Sequence, residues 1–406
     1  MSTSISRRKV VGTLGAAGAA AAIAAPTWVR AQRTSIKVGW AISMTGPFAG
    51  GAATIQWPNY LLWIKDVNDA GGLMVDGRRL RLEHVVYDDR SQSEEALRAV
   101  QRLINQDRVD ILLPPWGTGL NLAVAPIFGR SGHPMIAGTM VTDRLPDVVS
   151  RWPNVFALKN TSKAHSEAFV ALLSQARAAG QINDRVAVAN VTDQFGVELG
   201  NAARRALREA NFNVVHDASY PMGATDLTPV IRAAQRANPD VFMALSYPPD
   251  TMALTDAARL HSFNPKVFYT AVGTAFPGFR QRFGDNATGV MGIGGWRPDN
   301  DAFRAYIQRH VAMHQREPDR WTSSVVYSGL QALGQAIERV GLNNADIVTH
   351  LRSNAYDTIV GRLEFENNIR KDGWLVGQWQ DGDYLGVATR QPGARHVILP
   401  KPAWRT

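Results

Sequence analysis

The feature that most constrains the fold is a regular alternation of strand-like and helix-like segments. Residues 36–42 are apolar and β-branched, 43–47 form a turn, and a helical stretch then reaches Asn68 before Ala70-Gly71-Gly72 stops it. Further strands are predicted at 79–87, 110–113, 135–137, 185–190, 214–217, 241–246 and 267–270. Amphipathic helices are predicted between most of them, at 91–106, 163–179, 197–210, 226–237 and 250–261. This pattern predicts an α/β fold with mostly parallel sheets flanked by helices.

Loops that follow strands and precede helices mark where such a fold binds ligands, because ligands lie beyond the carboxyl ends of parallel strands. Here these loops are 43–53, 114–120, 138–143, 191–196, 246–250 and 271–276. They are rich in glycine, threonine and aromatic residues and lack clusters of Asp, His and Glu. The composition favours a site that holds a small molecule over one that cleaves it.

The stretch LLPPWGTGLN, residues 112–121, has the most unusual composition of these loops. Its prolines cannot continue a strand ladder, and its glycines admit backbone shapes that other residues avoid. The stretch therefore predicts a shaped turn with exposed backbone N–H groups before a helix.

The first 31 residues have the pattern of an export signal peptide. Arg7-Arg8-Lys9 precedes an uncharged Ala/Gly-rich run at 10–26, and Val29-Arg30-Ala31 is a small-residue cleavage pattern. The arginine pair favours the twin-arginine route, with the Sec route as the alternative because Val10-Val11 stand where Phe-Leu is more usual. A membrane anchor is the weaker interpretation, since the run is shorter than the roughly 20 residues that span a bilayer. We expect a periplasmic protein cleaved near Ala31.

Charge and composition narrow the class of ligand. Hydrophobic residues make up 45% and charged residues 19% of the chain, as in folded soluble proteins. Removing residues 1–31 takes away four basic residues and no acid, which lowers the formal charge from +9 to +5. The remaining Lys and Arg residues are scattered, so nucleic acid is not an expected partner, whereas anionic small molecules are favoured. The absence of cysteine excludes disulfides and thiolate chemistry.

Catalytic motifs are missing from the sequence. It contains no phosphate-binding P-loop, nucleophile elbow or dinucleotide fingerprint, and Gly117-Thr118-Gly119 is only a fragment of the last. His310 and His314 stand four apart on a predicted helix, but Val311 occupies the position where a zinc protease needs glutamate, so a solvated helix face is favoured over a metal site. Asp88-Asp89 favours turn formation over acid/base work, because adjacent strand residues point to opposite sides. We expect neither an enzyme nor a cofactor.

Several motifs resemble the periplasmic branched-chain amino-acid binding proteins, the leucine-binding-protein-like type I solute receptors of ABC importers. The opening of the chain carries Lys37-Val38-Gly39, Met44-Thr45-Gly46-Pro47, Asn68-Asp69-Ala70-Gly71-Gly72-Leu73, Asp76-Gly77 and Tyr87-Asp88-Asp89. The similarity continues through Pro134-Met135-Ile136, Asp193-Gln194-Phe195-Gly196, Ser246-Tyr247-Pro248 and Tyr327-Ser328-Gly329-Leu330-Gln331-Ala332-Leu333. The resemblance covers nearly all of the mature chain.

This resemblance implies two lobes that close on a solute, joined by three chain crossings. The crossings are expected near residues 156–159, 294–297 and 359–361. Lobe 1 is then 33–157 plus 297–359, lobe 2 is 158–296 plus 361–390, and 391–406 is a C-terminal tail that packs as irregular structure or hangs loose. The implied protein is a monomer that delivers its solute to an inner-membrane ABC permease; an exported sensor that presents its closed form to a signalling receptor is the alternative.

The family's carboxylate-binding turns match two segments here. These are Trp116-Gly117-Thr118-Gly119 and Thr139-Met140-Val141-Thr142, whose N–H and hydroxyl groups would hold the solute's carboxylate. The alternative is that Thr118 and Thr139 only cap helices. Candidate pocket walls, with core packing as the alternative for each, are Trp57, Trp116, Phe195, Tyr247, Phe276 and Trp321.

Val272 makes an α-amino acid the less favoured solute. The resemblance implies that receptors for α-amino acids carry an acidic side chain at this position, and loop 271–276 contains no Asp or Glu. An ammonium buried beside valine would lose its hydration without gaining a charged partner. We therefore expect a carboxylate with an aromatic or other apolar body. The alternative is a branched-chain amino-acid or amide receptor with a shifted ammonium site, supplied by Asp193 or Asp250.

Overall fold

The computed structural model describes residues 33–389 and 394–405, so the predicted signal peptide lies outside the described residues. The main compact unit of the chain is Ser35–Thr406. Among the described residues, no helix combines the length and apolar character needed to cross a bilayer.

The strands are mostly short and fall into four sheets. They are β1 (Ser35–Ile42), β2 (Leu73–Val75), β3 (Arg78–Asp88), β4 (Ile111–Leu113), β5 (Met135–Ala137), β6 (Val155–Ala157), β7 (Arg185–Val191), β8 (Asn213–Tyr220), β9 (Val241–Leu245), β10 (Val267–Thr270), β11 (Met291–Ile293), β12 (Tyr356–Thr358), β13 (Gly361–Leu363), β14 (Phe365–Glu366), β15 (Ile369–Arg370), β16 (Trp374–Gln380) and β17 (Asp383–Thr389).

Helices connect most of these strands. They are α1 (Ala49–Ile55), α2 (Trp57–Asp69), α3 (Ser93–Asn105), α4 (Thr118–Ser131), α5 (Leu145–Arg151), α6 (Ser162–Ala178), α7 (Gln194–Glu209), α8 (Thr228–Arg236), α9 (Pro248–Leu260), α10 (Pro277–Phe283), α11 (Asp301–His314), α12 (Thr322–Val340) and α13 (Asn344–Ser353), with a 3-10 turn at Gly284–Ala287.

The sheets are mainly parallel, as the alternation predicts. One has the order β2-β3-β1-β4, a second β14-β15-β6-β5, a third β17-β16-β11-β10-β9-β7-β8, and β12 pairs with β13. In the seven-stranded sheet β7 to β11 run parallel, and β16 and β17 add an antiparallel edge. Every residue of β9 is buried, as expected for a strand covered on both faces. The predicted α/β architecture with helix-flanked parallel sheets is confirmed.

Two differences from the predicted elements have local causes. The helical stretch predicted to reach Asn68 is two helices, because the Pro58 ring cannot be accommodated in the middle of a continuous helix. The β16–β17 hairpin was not predicted. Its turn is Asp381-Gly382, both with positive φ, which suits a tight two-residue hairpin connection.

The sheets form two main groups: β2-β3-β1-β4 with β14-β15-β6-β5, whose strands β4 and β5 contact each other, and the seven-stranded sheet. Strand pairing bears on where the chain passes between these two groups. Strand β15 pairs with β6 at Ala157, and the chain joins the seven-stranded sheet only at Trp374. The lobe boundaries stay a prediction, and on this pairing the third crossing is better placed at residues 371–373 than at 359–361. Tail residues 394–405 have no regular secondary structure, and Trp404 donates a 2.7 Å hydrogen bond from Nε1 to the Phe263 carbonyl.

Candidate functional site

Loops from the two main groups of sheets meet around a small buried cavity. Nine of the residues predicted to bind the ligand line it: Trp116, Gly117, Thr118, Thr139, Val141, Phe195, Tyr247, Val272 and Trp321. Four residues that were not predicted complete the lining: Ile55, Lys159, Ile293 and Thr322. The cavity volume is about 30 Å³. That is room for about one water molecule, so an organic solute requires the walls to separate.

One wall is built from the turn after β4 and the segment after β5. Gly117 precedes α4 with φ of 93°, a conformation that favours glycine, and its N–H donates to Thr139 Oγ1 over 3.0 Å. Thr118 Oγ1 accepts from Val141 N–H at 3.1 Å. Thr139 Oγ1 donates to Gln56 Oε1 at 3.0 Å. Neither threonine caps the helix that follows it, since the N-cap residues of α4 and α5 are Gly117 and Arg144.

Aromatic rings from both groups of sheets close the cavity. Tyr247 lies 5.8 Å from Trp116 and 5.3 Å from Phe195, between ring centroids. Phe48, which was not predicted, lies 5.4 Å from both Trp116 and Tyr247. The Trp116 indole N–H is buried and has no hydrogen-bond acceptor among residues 33–389 and 394–405. This wall is apolar.

Lys159 lines the cavity as a buried cation. Its side chain follows β6 and is 8% exposed. Nζ donates to Thr322 Oγ1 at 2.8 Å and lies 3.4 Å from the ring centroid of Trp321. Burial lowers the pKa of Lys159 to about 7, although the charge of Asp319 acts in the opposite direction. An ammonium has three donors, so this group retains capacity for an anion.

Asp319 is the carboxylate that acts on Lys159, and it is engaged elsewhere. Its Oδ2 accepts from the N–H groups of Trp321 at 3.1 Å and Thr322 at 3.0 Å, at the start of α12, and Oδ1 accepts from Ser323 N–H. Burial raises its pKa. In the described chain it forms no direct hydrogen bond with Lys159. Its geometry therefore orders the helix start that carries Trp321 and Thr322.

Two further carboxylates lie behind Tyr247. Asp193 Oδ2 accepts from the Tyr247 hydroxyl at 2.7 Å, and Oδ1 accepts from Gly196 N–H at 2.8 Å. Asp250 Oδ2 accepts from Tyr247 N–H at 3.1 Å. Burial raises both pKa values, that of Asp250 to about 6. These carboxylates hold Tyr247, and neither lines the cavity.

Five predicted binding residues lie away from the cavity lining. Trp57 is half-buried at the start of α2, Gly119 lies within the first turn of α4, and Met140 is fully buried. Thr142 accepts from Arg144 N–H, and Phe276 packs in the core as the N-cap residue of α10. Alternate residues of the 139–142 segment face the cavity, so Thr139 and Val141 line it while Met140 and Thr142 do not.

Lys159 was missed because β6 was not recognised as a strand. Val155-Phe156-Ala157 is apolar and fully buried, and the strand-end rule applied to it would have selected the residues that follow, Lys159 included. Ile293 follows the same logic at the end of β11. Ile55 and Thr322 carry no comparable signal.

Two pairs that were considered for chemistry have structural partners. Asp88 Oδ1 accepts from Met44 and Arg90 N–H groups, and Asp89 accepts from Ser43 and Ser91, as expected for turn formation. His310 and His314 lie on α11 and each hydrogen-bonds to a backbone carbonyl, of Arg316 and Pro58 respectively. The predicted solvated helix face is wrong for His310, which is fully buried, while His314 is half-buried.

Comparison with known proteins places this arrangement in a family. A family model described as periplasmic binding protein matches residues 35–383. The leucine-specific-binding protein of Salmonella typhimurium is 22% identical over 351 residues, which cover 86% of this chain and 92% of that protein.

Solved structures show the same fold at low identity. The branched-chain amino acid transporter substrate binding protein of Streptococcus pneumoniae, in complex with isoleucine, has a TM-score of 0.75 at 17% identity and covers 90% of this chain and 100% of its own. An ABC transporter solute binding protein from R. palustris, in complex with benzoate, has a TM-score of 0.74 at 17% identity and covers 91% and 97%. These likenesses confirm the type I fold of periplasmic binding proteins.

Proposed function

This chain belongs to the periplasmic binding protein family and is of the ABC-transporter type, and on that premise we propose that it captures a small organic carboxylate with an aromatic or apolar body. The solute would lie between the loops of the two main groups of sheets. The chain would act without catalysis, as an exported periplasmic monomer, and deliver the solute to an inner-membrane ABC permease.

The observation that carries the proposal is the charge of the cavity lining. Among the described residues, Lys159 is the charged side chain that lines it, and no Asp or Glu does. Lys159 Nζ could donate to a solute carboxylate instead of Thr322 Oγ1, or to both. The resulting hydrogen bond between two charged groups is stronger than one between neutral groups. Removing two opposite charges from water together costs far less than burying either alone.

The walls favour a solute body that is apolar. Trp116, Phe195 and Tyr247 offer ring faces, and Val272 and Ile293 offer aliphatic surface. Aromatic side chains recognise aromatic and apolar groups through large contact areas and offset or edge-to-face ring packing. Benzoate in the R. palustris structure is a solute of this chemical class bound on the same fold.

An α-amino acid fits the lining less well. Its ammonium would lie in a small cavity with Lys159, a like charge, and beside Val272, which offers no counter-charge. Asp193 and Asp250 remain the alternative partners, but both are occupied in holding Tyr247. A shifted ammonium site would require these contacts to break.

A thermal-shift screen tests the proposal. Benzoate and phenylpyruvate should stabilise the mature protein, while leucine, isoleucine, valine and phenylalanine should not, because a ligand that binds only the folded state raises its stability by about 2.7 kcal/mol at 100 times Kd. The variant Lys159→Met should lose the shift with the acids. Stabilisation by the amino acids, with none by the acids that lack an amine, would overturn the proposed solute class.

A further inference from the structure

A second cavity, of about 230 Å³, lies where the chain passes between the two main groups of sheets. Its walls include Gly295–Arg297 after β11, residues 372–373 before β16 with Trp374 at its start, and Ser324 and Val325 of α12. These are the segments of the second and third crossings as placed above. The same end of α12 supplies Trp321 and Thr322 to the candidate site, so one helix end contacts both cavities.

Arg370 lines this second cavity and is 7% exposed. Its Nε has no hydrogen-bond acceptor in the described part of the chain. Asp372 is the carboxylate whose charge acts on it, but the two side chains form no ion pair in residues 33–389 and 394–405. A buried guanidinium without a bidentate partner is costly to a fold, which makes its position here informative.

Apart from the half-buried carboxylate of Asp372, the other polar groups of the wall are already engaged. Asn300 Nδ2 donates to the Ile359 carbonyl at 3.1 Å, and Ser324 Oγ donates to the Trp321 carbonyl at 2.9 Å. Arg297 pairs with Asp299 at 3.2 Å. Arg370 is therefore the group of this wall that most needs a partner.

We propose that this cavity binds a small oxyanion, a carboxylate or a phosphate, through the Arg370 guanidinium. A guanidinium presents paired N–H donors in a plane that match two oxygens of either group. The cavity has room for inorganic phosphate or a short dicarboxylate such as succinate. An anion held there would contact both crossing segments while leaving the candidate site open to its own solute.

Calorimetric titration of the mature protein with sodium phosphate and with sodium succinate tests this site, at ionic strength held constant with sodium chloride. At least one of the two should bind saturably to the wild type and equally to Lys159→Met, which impairs the candidate site instead. Arg370→Gln should weaken that binding at least tenfold. Binding of succinate alone, or of phosphate alone, identifies the preferred oxyanion.

Two variants keep the test decisive. Arg370→Lys preserves the charge and replaces Arg370→Gln as the test variant if Arg370→Gln fails to fold. Because lysine lacks the planar guanidinium, Arg370→Lys should bind the anion at least fivefold more weakly. Arg362→Gln removes an exposed arginine paired with Glu364 and should leave binding unchanged. Absence of saturable binding to the wild type, or equal binding by the wild type and Arg370→Lys, would overturn the proposed site.

Discussion

At the scale of single residues, Lys159 makes both the stability of the free protein and its solute binding depend on pH. Its pKa in the folded protein is about 7, far below that of an exposed lysine. At pH values between the folded-state pKa of Lys159 and the pKa of an exposed lysine, the unfolded state binds more protons than the folded state. The free energy of unfolding of the free protein should therefore rise with pH over this range. Below about pH 7 lysine is charged in both states and this dependence ends.

Binding of a carboxylate should show the opposite trend. The anion favours charged Lys159, so binding above pH 7 takes up a proton and affinity falls towards tenfold per pH unit. Calorimetry with benzoate in HEPES and in Tris, whose ionisation heats differ, should report that proton uptake. Lys159→Met, titrated at the higher benzoate concentrations that its weakened site requires, should take up no proton per benzoate bound. Proton uptake that survives in the variant would assign the effect to another group.

The two hydroxyls beside the cavity should matter for affinity. Thr139 Oγ1 now donates to Gln56 Oε1 and Thr118 Oγ1 to the Val141 carbonyl, so each hydroxyl must turn from that acceptor to the solute's carboxylate. If it does, Thr118→Ala and Thr139→Ala should each cost about 1.5–3 kcal/mol of binding, the scale of a charge-assisted hydrogen bond. Thr142→Ala is the matched control, because Thr142 is buried nearby but does not line the cavity. Unchanged affinity for benzoate in both test variants would limit these threonines to supporting the backbone turn.

At the scale of elements, the end of β11 is shaped around Trp321. Gly294 has φ of 95°, and a Cβ there would lie 2.0 Å from Trp321 Cδ2. Gly294→Ala should therefore lower the free energy of unfolding by at least about 2 kcal/mol, from backbone strain and overlap together. Urea denaturation measures it. Gly278→Ala is the control, since a Cβ there meets no atom within 4 Å, and it should be neutral or slightly stabilising.

The strands and the cavity show which features could be predicted from the sequence and which could not. Strands such as β5 and β10 were predicted with the bounds observed, because each is an apolar run bounded by turn signals and too short for a buried helix. The cavity was predicted through its glycines, threonines and aromatic residues. Lys159 was not, because the three-residue strand β6 that precedes it was not recognised. Phe48 lies in the predicted loop 43–53, but its contact with Trp116 and Tyr247 depends on the meeting of distant loops, which no local pattern encodes.

At the scale of the whole molecule, the small cavity implies opening. Since a volume of about 30 Å³ excludes benzoate, the loops must separate for entry and close afterwards. Small-angle scattering should give a larger radius of gyration for the free protein than for the protein saturated with benzoate. Lys159→Met at the same benzoate concentration should stay at the larger value. A radius that benzoate leaves unchanged would contradict closure of the lobes on the solute if the radius of the free protein exceeds the value calculated from the structure described here.

The ammonium of Lys159 over the ring of Trp321 gives the protein a built-in optical label. Indole emission responds to charges beside the ring, and a carboxylate that drew Lys159 away would change the light from one tryptophan in the binding site itself. The full chain contains 11 tryptophans, so replacing indoles that do not line the cavity, such as Trp57 and Trp152, by phenylalanine would sharpen the signal. The fluorescence of such a variant could be used to screen mixtures of natural acids for the solute, without added dyes and without choosing candidates beforehand.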